Sequence, residues 1–415
     1  MCDTQRRYRH WKCWPLVLVK RIIRRLLRMV RRQPTPQLIS IPQTGRALHG
    51  LDVLGFFTSE HGVGEAARVL TSTLKSASIA VSTIDYTDTE SRREHAYTCD
   101  NASQYKVLMA SINSDQLSTA HTRISRSFFT DRYVIGQWFW ELEDAPAWFA
   151  PAYPLVNELW APTHFIENML RANVPSSVHV EYVPLPVHTP VIDASLTRQR
   201  FGLDERFMFL FVFDFMSVMK RKNPLGLIEA FTSAFAEGEG PQLVIKGING
   251  DKRPAEHAVL SEAVAQRSDI TLINEYFTRE ETSTLISMAN TYVSLHRSEG
   301  LGLTISEAMT LGVPVIATGY SGNMDFMRTG NSLLVPGTRV HVGDGAEGYS
   351  PTASWMEPDI SQAAQYMRYV YENEKDAREM GLRGQRDIVS SLTTERCGAI
   401  MKNRLEDIWS SLHGK

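Results

Sequence analysis

Short runs rich in β-branched and aromatic residues alternate with helical stretches along most of the chain. "GLDVLGFF" reads as a strand, and "TSEHGVGEAARVLTSTLKSA" turns through glycines into a helix. "IAVSTIDY", "YKVLMASIN", "RYVIGQWFW" and "VNELWAP" continue the series, with helices such as "THFIENMLRAN" between them. This rhythm predicts a parallel sheet covered by helices on both faces. A second series opens near Arg206 with "FMFLFVFDF" and runs through "PQLVIKG", "ITLINEY", "TYVSLH", "VPVIATG" and "SLLVP". The body is therefore expected to be α/β, in two halves divided near residues 190–205, with ligands at the carboxyl ends of the strands and a cleft between the sheets. The expected divisions are an arm and linker over 1–46, an N-terminal half over 47–200 and a C-terminal half over 201–385. The amphipathic closing segment over 386–415 is expected to cross back to the first half.

A length of 415 residues suits two domains, and 43% hydrophobic residues supply a core that needs no staples. Cys2, Cys13, Cys99 and Cys397 show no paired spacing, which predicts reduced thiols in a cytoplasmic protein. The net charge of −2 conceals an asymmetry: residues 1–46 hold twelve Lys or Arg against Asp3, a sum of +11, so the remainder carries −13. On a helical wheel, Pro15 to Pro34 places Leu16, Val19, Ile22, Ile23, Leu26 and Leu27 on one half and Lys20, Arg21, Arg24, Arg25, Arg28 and Arg31 on the other. No apolar run there approaches the roughly 20 residues of a spanning helix. The expectation is a basic amphipathic helix over 15–33 lying on an anionic membrane surface, at the inner face of the cytoplasmic membrane. Nucleic acid is not expected as a partner, because the basic surface is confined to the arm.

"HRSEGLGLTISEAMTLGVPVIATG", His296 to Gly319, brackets a glycine turn with Glu299 and Glu307. Strand, loop and helix follow one another, and the glycines let the backbone approach a ligand. Free N–H groups at the helix start, from Gly300 through Leu301 and Gly302 to Leu303, suit a diphosphate. A carboxylate accepts two hydroxyl donors from a cis-diol. Glu307 is expected in the first helical turn, and Glu299 in the loop is expected to face a sugar. "MKRKNP" supplies cations that balance the charge of a departing diphosphate without a metal. No paired carboxylates suited to a metal sit at a strand end, so neither a metal nor a cofactor is expected.

The long stretch from His296 to Met327, with "GFFTSEHGVGEAAR", "GQWFWELEDAP", "FDFMSVMKRKNPLGLIEAF" and "SWMEPD", resembles family 4 of the retaining glycosyltransferases, which have the GT-B fold of two Rossmann-like domains facing a cleft. The resemblance covers roughly residues 50–390. It implies that Glu299 and the amides of Gly300 to Leu303 hold sugar and diphosphate, and that Glu307 holds the ribose. Lys222 matches the Lys of the family's basic pair, while Ser217 stands where the family has Arg; Arg221 or Lys246 is expected to supply the missing cation. Asn323 is expected at the sugar, and Gly62 and Gly64 at the diphosphate. On the acceptor side the expected residues are His61, Asn113, Trp140 and Glu141.

The implied activity is transfer of a hexose from a nucleotide diphosphate sugar, with mannose favoured, to a glycan or lipid-linked acceptor in polysaccharide biosynthesis. Two other readings stand beside it. Gly62, Gly64 and Ala67 match a dinucleotide fingerprint in spacing, which suggests an NAD-dependent oxidoreductase, although "TSEH" separates them from the strand. Ser217 favours a non-catalytic, membrane-associated glycan-binding protein of the same fold.

Overall fold

The computed structural model describes residues 38–413. The basic stretch 15–33 and its expected helix lie outside the described residues. Two parallel six-stranded sheets form the body. The first contains β1 (Gln43–Gly55), β2 (Val81–Asp85), β3 (Ser103–Ser111), β4 (Tyr133–Gly136), β5 (Glu158–Ala161) and β6 (His179–Tyr182), in the order β2-β1-β3-β4-β5-β6. The second contains β7 (Met208–Asp214), β8 (Gln242–Ile248), β9 (Ile270–Asn274), β10 (Thr291–Ser294), β11 (Val315–Thr318) and β12 (Leu333–Val335), in the order β12-β11-β10-β7-β8-β9. Strands covered on both faces need apolar side chains on both faces, which is why Met208, Phe209 and Leu210 are consecutive and fully buried.

The stretch expected to be linker up to residue 46 enters the first sheet at Gln43, where irregular pairing with β3 begins. The strand expected through Trp140 stops at Gly136, because the next segment turns to other partners. The Gln137 amide donates to the Ala110 carbonyl at 3.0 Å, and the Phe139 amide to Asn113 Oδ1 at 2.8 Å.

Helices α1 (Gly62–Ser76), α2 (Ser114–Arg123) and α3 (His164–Asn173) belong to the first half. The short α4 (Met219–Lys222), α5 (Pro224–Ala234), α6 (Pro254–Val264), α7 (Arg279–Ser287), α8 (Leu303–Thr310), α9 (Ile360–Glu372) and α10 (Glu374–Ser391) belong to the second. Last comes α11 (Thr394–His413), whose Met401, Leu405, Ile408 and Trp409 bury against Leu51, Val53, Leu70 and Leu74 of the first half. Arg404 of α11 fastens it there, bonding both oxygens of the buried Glu158 at 2.8 and 2.7 Å. The Val187 amide donates to the Leu392 carbonyl at 3.0 Å, so the two segments that cross between the halves lie side by side.

An antiparallel hairpin, β13 (Gly337–His341) and β14 (Ser354–Pro358), extends from the second half. Val342, Ala346, Ala353 and Trp355 from it and its loop join the aromatic core of the first half around Trp138, Trp140 and Phe149.

Candidate active site in the cleft

The loop after β10 is anchored from beneath. His296 is fully buried, its Nδ1 3.0 Å from Ser294 Oγ and its Nε2 3.1 Å from Asn323 Oδ1. The Glu299 amide donates to Ser321 Oγ at 2.8 Å, and the Gly322 amide donates to the Glu299 carbonyl at 2.9 Å. Both ends of the Glu299 residue are thus fixed while its carboxylate projects toward α4.

There it meets two cations. Arg221 Nη1 lies 3.1 Å from Glu299 Oε2, and Lys222 Nζ bonds Oε1. Burial by itself would raise the Glu299 carboxyl, but Lys222 and then Arg221 hold it at about 2. Arg221 is 3% exposed and also donates to the carbonyls of Ser298, at 2.8 Å, and Ser217, at 3.1 Å. Burial opposes its charge, yet the carboxylates of Glu141 and Glu299 keep the guanidinium protonated. Glu141 comes from the first half: its Oε1 is 3.5 Å from Arg221 Nη2 and its Oε2 accepts from the Tyr349 hydroxyl at 2.9 Å. The structure therefore brings Glu299, Lys222, Arg221 and Glu141 together at the seam of the halves.

The glycine turn leads into α8. Gly302, at φ +82°, is its N-cap, a left-handed position that favours glycine, and no side chain caps it. The first turn of α8 is thus left without a side-chain cap, and a helix start of this kind favours anions. Opposite stands Gly62, where an added Cβ would be 3.6 Å from Leu303 Cδ1. Leu301 packs into the core of the first half, and Thr163 Oγ1 donates to the Gly300 carbonyl at 3.0 Å.

A buried carboxylate paired with a lysine beside an uncapped helix start is a place to hold an anionic leaving group. Residues 197–387, which include all of these second-half elements, match the family model described as glycosyl transferases group 1. They belong to that family.

The sucrose-phosphate synthase of Thermosynechococcus elongatus is similar in structure, with a TM-score of 0.66 and 14% identity over 88% of this chain and 100% of that one. Anabaena HepE in complex with UDP and glucose gives a TM-score of 0.60 and 13% identity over 86% and 100%. A glycosyltransferase from Rickettsia africae gives 0.59 and 13% over 88% and 99%. At such identities the likeness shows the fold, which is GT-B. No curated protein sequence matches the chain.

In this glycosyltransferase fold several expected site residues are engaged elsewhere. Glu307 is the fifth residue of α8, one position beyond the expected first turn, because the helix already starts at Leu303. Its side chain is 23% exposed and faces Arg279 Nη2 at 4.0 Å; burial pushes its carboxyl up to about 7. Lys246 does not supply the cation expected near Ser217: its ammonium donates to the Gly247 and Glu275 carbonyls at 3.0 and 2.6 Å and lies over the Phe277 ring. Burial lowers it to about 8. Asn323 is fully buried, with Nδ2 donating to the Thr318 carbonyl at 3.0 Å, so its amide serves the fold of the turn. Its neighbour Asp325 ties the halves, accepting from the His164 amide at 3.0 Å and the Tyr182 hydroxyl at 3.2 Å.

On the acceptor side, Asn113 caps α2 and holds the Phe139 amide. Trp140 is 7% exposed and packs among Trp148, Phe149 and Tyr349, with Nε1 donating to the Asp144 carbonyl at 2.9 Å. His61 caps α1 by accepting from the Gly64 amide at 3.2 Å; burial and then Arg68 lower it to about 4, so it is neutral near pH 7. Gly64 is required for packing, since a Cβ there would lie 2.6 Å from the Phe56 carbonyl. β1 ends at Gly55, well before Gly62, and Asp85 accepts from the Thr58 hydroxyl at 2.8 Å, so the dinucleotide fingerprint lacks its strand-to-glycine junction. Sequence reasoning missed Glu65, Arg279 and Tyr349: Glu65 sits inside the glycine stretch, which draws attention to Gly62 and Gly64, and Arg279 and Tyr349, at a helix start and in a hairpin loop, carry no motif.

Proposed function

We propose that the chain is a retaining glycosyltransferase that moves a hexose from a nucleoside diphosphate sugar to a hydroxyl of a glycan or lipid-linked acceptor in polysaccharide assembly. The observation that carries this reading is the buried Glu299–Lys222 pair beside the uncapped start of α8, facing Glu141 across the seam. The bond from the anomeric carbon to the diphosphate breaks while the acceptor oxygen bonds the same face of that carbon. The acceptor proton passes to the departing phosphate oxygen, so no separate general base is needed. Lys222 and the α8 amides balance the charge that grows on the leaving group. Glu299 orients Lys222 and faces the sugar, and Glu307 takes the ribose diol.

The likeness to HepE, solved with UDP and glucose, supports a nucleotide-sugar donor. Mannose carried on GDP is the sugar proposed, on no particular residue. A thermal-shift panel of UDP, GDP and ADP separates the bases, because a ligand of the native state raises its apparent stability. Anomeric analysis of the product by NMR then tests retention, and assay in chelator tests metal independence.

Residues 15–33 are proposed to hold the enzyme at the cytoplasmic face of a membrane. Removal of residues 1–33 is expected to release the protein from sedimented anionic vesicles without loss of donor hydrolysis. Among the described residues, no helix is long and apolar enough to cross a membrane. Ser217 and the deep burial of Arg221 favour a second reading, a glycan-binding protein without catalysis. An unchanged nucleotide affinity in Glu307→Ala, with glycan binding intact, decides for it.

A further inference from the structure

Beyond the Glu299 cluster, a chain of alternating charges crosses the cleft at the Glu307 end. Glu65, in the first turn of α1, is held by Arg68, whose Nε lies 3.1 Å from Glu65 Oε2. Arg68 is itself fixed by the Phe57 and Ser59 carbonyls, each at 2.9 Å. The other Glu65 oxygen bonds Nη1 of Arg279, the first residue of α7 in the opposite half. Nη2 of the same guanidinium stands 4.0 Å from Glu307 Oε1.

We infer that Arg279 is a positioning residue for Glu307, aimed by Glu65 from across the cleft, and that it couples closure of the halves to nucleotide affinity. The inference rests on the reading in which Glu307 grips the ribose diol. A carboxylate receives two hydroxyl donors only while ionised. The groups facing Glu307 are Arg279 from α7 and Glu65 from α1, with Tyr292 of β10 below; Arg68 and His188 adjoin the Glu65–Arg279 pair. Burial and Glu65 favour the protonated form, and Arg279 opposes them.

The Arg279 side chain is 44% exposed, so without Glu65 its long stem is free to turn into solvent. Pairing one arm of the fork with Glu65 directs the other at Glu307. When the halves part, the pair breaks, Arg279 is free to turn into solvent, Glu307 loses the guanidinium that faces it and its hold on the ribose loosens. Closure thus tightens the nucleotide, and opening favours its release.

The test measures binding of UDP, GDP and ADP, and of the 2′-deoxy form of the tightest, by titration calorimetry between pH 6 and 9. Arg279→Met is expected to weaken the ribonucleotide about tenfold at pH 7, to shift the pH dependence upward and to recover affinity by pH 9. Arg279→Lys is expected to recover part of the loss. The exchange Glu65→Arg with Arg279→Glu rebuilds the cross-cleft pair but sets a carboxylate beside Glu307. It is expected to restore thermal stability and not binding. Binding restored to within about twofold by the exchange overturns the inference, as does a pH dependence in Arg279→Met that overlays the native one. Glu307→Gln is the control: if it binds ribonucleotide as tightly as the native chain, the donor reading falls and this inference with it. If only Glu307→Gln loses affinity, the donor reading stands and the Arg279 role alone is overturned.

Discussion

Arg221 of the second half and Glu141 of the first lie 3.5 Å apart, and Arg221 stands at the same time 3.1 Å from Glu299. One buried guanidinium therefore serves both the loop that carries Glu299 and the seam between the halves. Lys222, the next residue, touches only Glu299 among these acids and is 15% exposed at its side chain. Adjacent cations thus hold different positions: Arg221 as a fastener, Lys222 as the cation open to the cleft.

This division predicts distinct losses. Lys222→Met is expected to lower kcat about 10²–10³-fold, as removal of a group that stabilises developing charge does, with little change in unfolding midpoint. Arg221→Met leaves the buried Glu299 and the half-buried Glu141 without their guanidinium and is expected to cost about 3–5 kcal/mol of stability. Initial rates and urea melts on the two variants separate the roles. Equal effects on rate and melt in both variants contradict the division.

The pH dependence of stability follows from Glu307. Its carboxyl is near 7 in the folded chain against an ordinary 4.5. The folded state therefore keeps a proton that the unfolded state releases, and stability present below pH 4.5 is lost as pH rises through 7. Glu307→Gln is expected to be more stable than the native chain by up to about 3 kcal/mol at pH 8 and equal to it at pH 4.5. Denaturant melts at both values check this, and a gain that does not vary with pH counts against it.

The two glycines at the start of α1 separate packing from binding. Gly64→Ala places a methyl 2.6 Å from the Phe56 carbonyl and 2.8 Å from that of Ser59, and is expected to cost about 1–3 kcal/mol. Gly62→Ala meets only Leu303 Cδ1 at 3.6 Å and is expected to leave stability within about 0.5 kcal/mol. Under the proposed function, Gly62→Ala raises the donor KM, because the methyl narrows the cleft opposite the α8 amides. Thermal melts and donor kinetics on both variants read the two effects.

The anchor of α11 is also testable. Arg404→Met leaves Glu158 fully buried with only the Tyr133 hydroxyl and the Trp160 indole as donors, each at 2.8 Å. The expected loss is about 3 kcal/mol, recovered in part by adding Glu158→Gln, which removes the uncompensated charge. Denaturant melts of the single and double variants measure this; no recovery in the double variant points to lost apolar packing instead.

Local patterns carried much of the fold. Runs such as "PQLVIKG" and "TYVSLH" announced β8 and β10 because strands buried on both faces must be apolar at consecutive positions. The same logic failed at "GQWFW", where the apolar residues serve an aromatic core and no strand. The β13–β14 hairpin carried no legible strand signal, since β13 is exposed and β14 is held by Trp355, which packs into the core of the other half.

The chain's own order determined the strand–helix alternation, the glycine turn before α8 and the presence of Glu299, Glu307 and Lys222 near strand ends, all consequences of backbone sterics and hydrophobic period. Only the tertiary structure decided which charges meet. Lys222 reaches Glu299 across 77 positions and Arg279 reaches Glu65 across 214, pairings that depend on how two sheets close on each other. Burial then sets their chemistry, holding one glutamate at about 2 and the other at about 7, because desolvation and the nearest cation act on a carboxylate only once the fold has placed them.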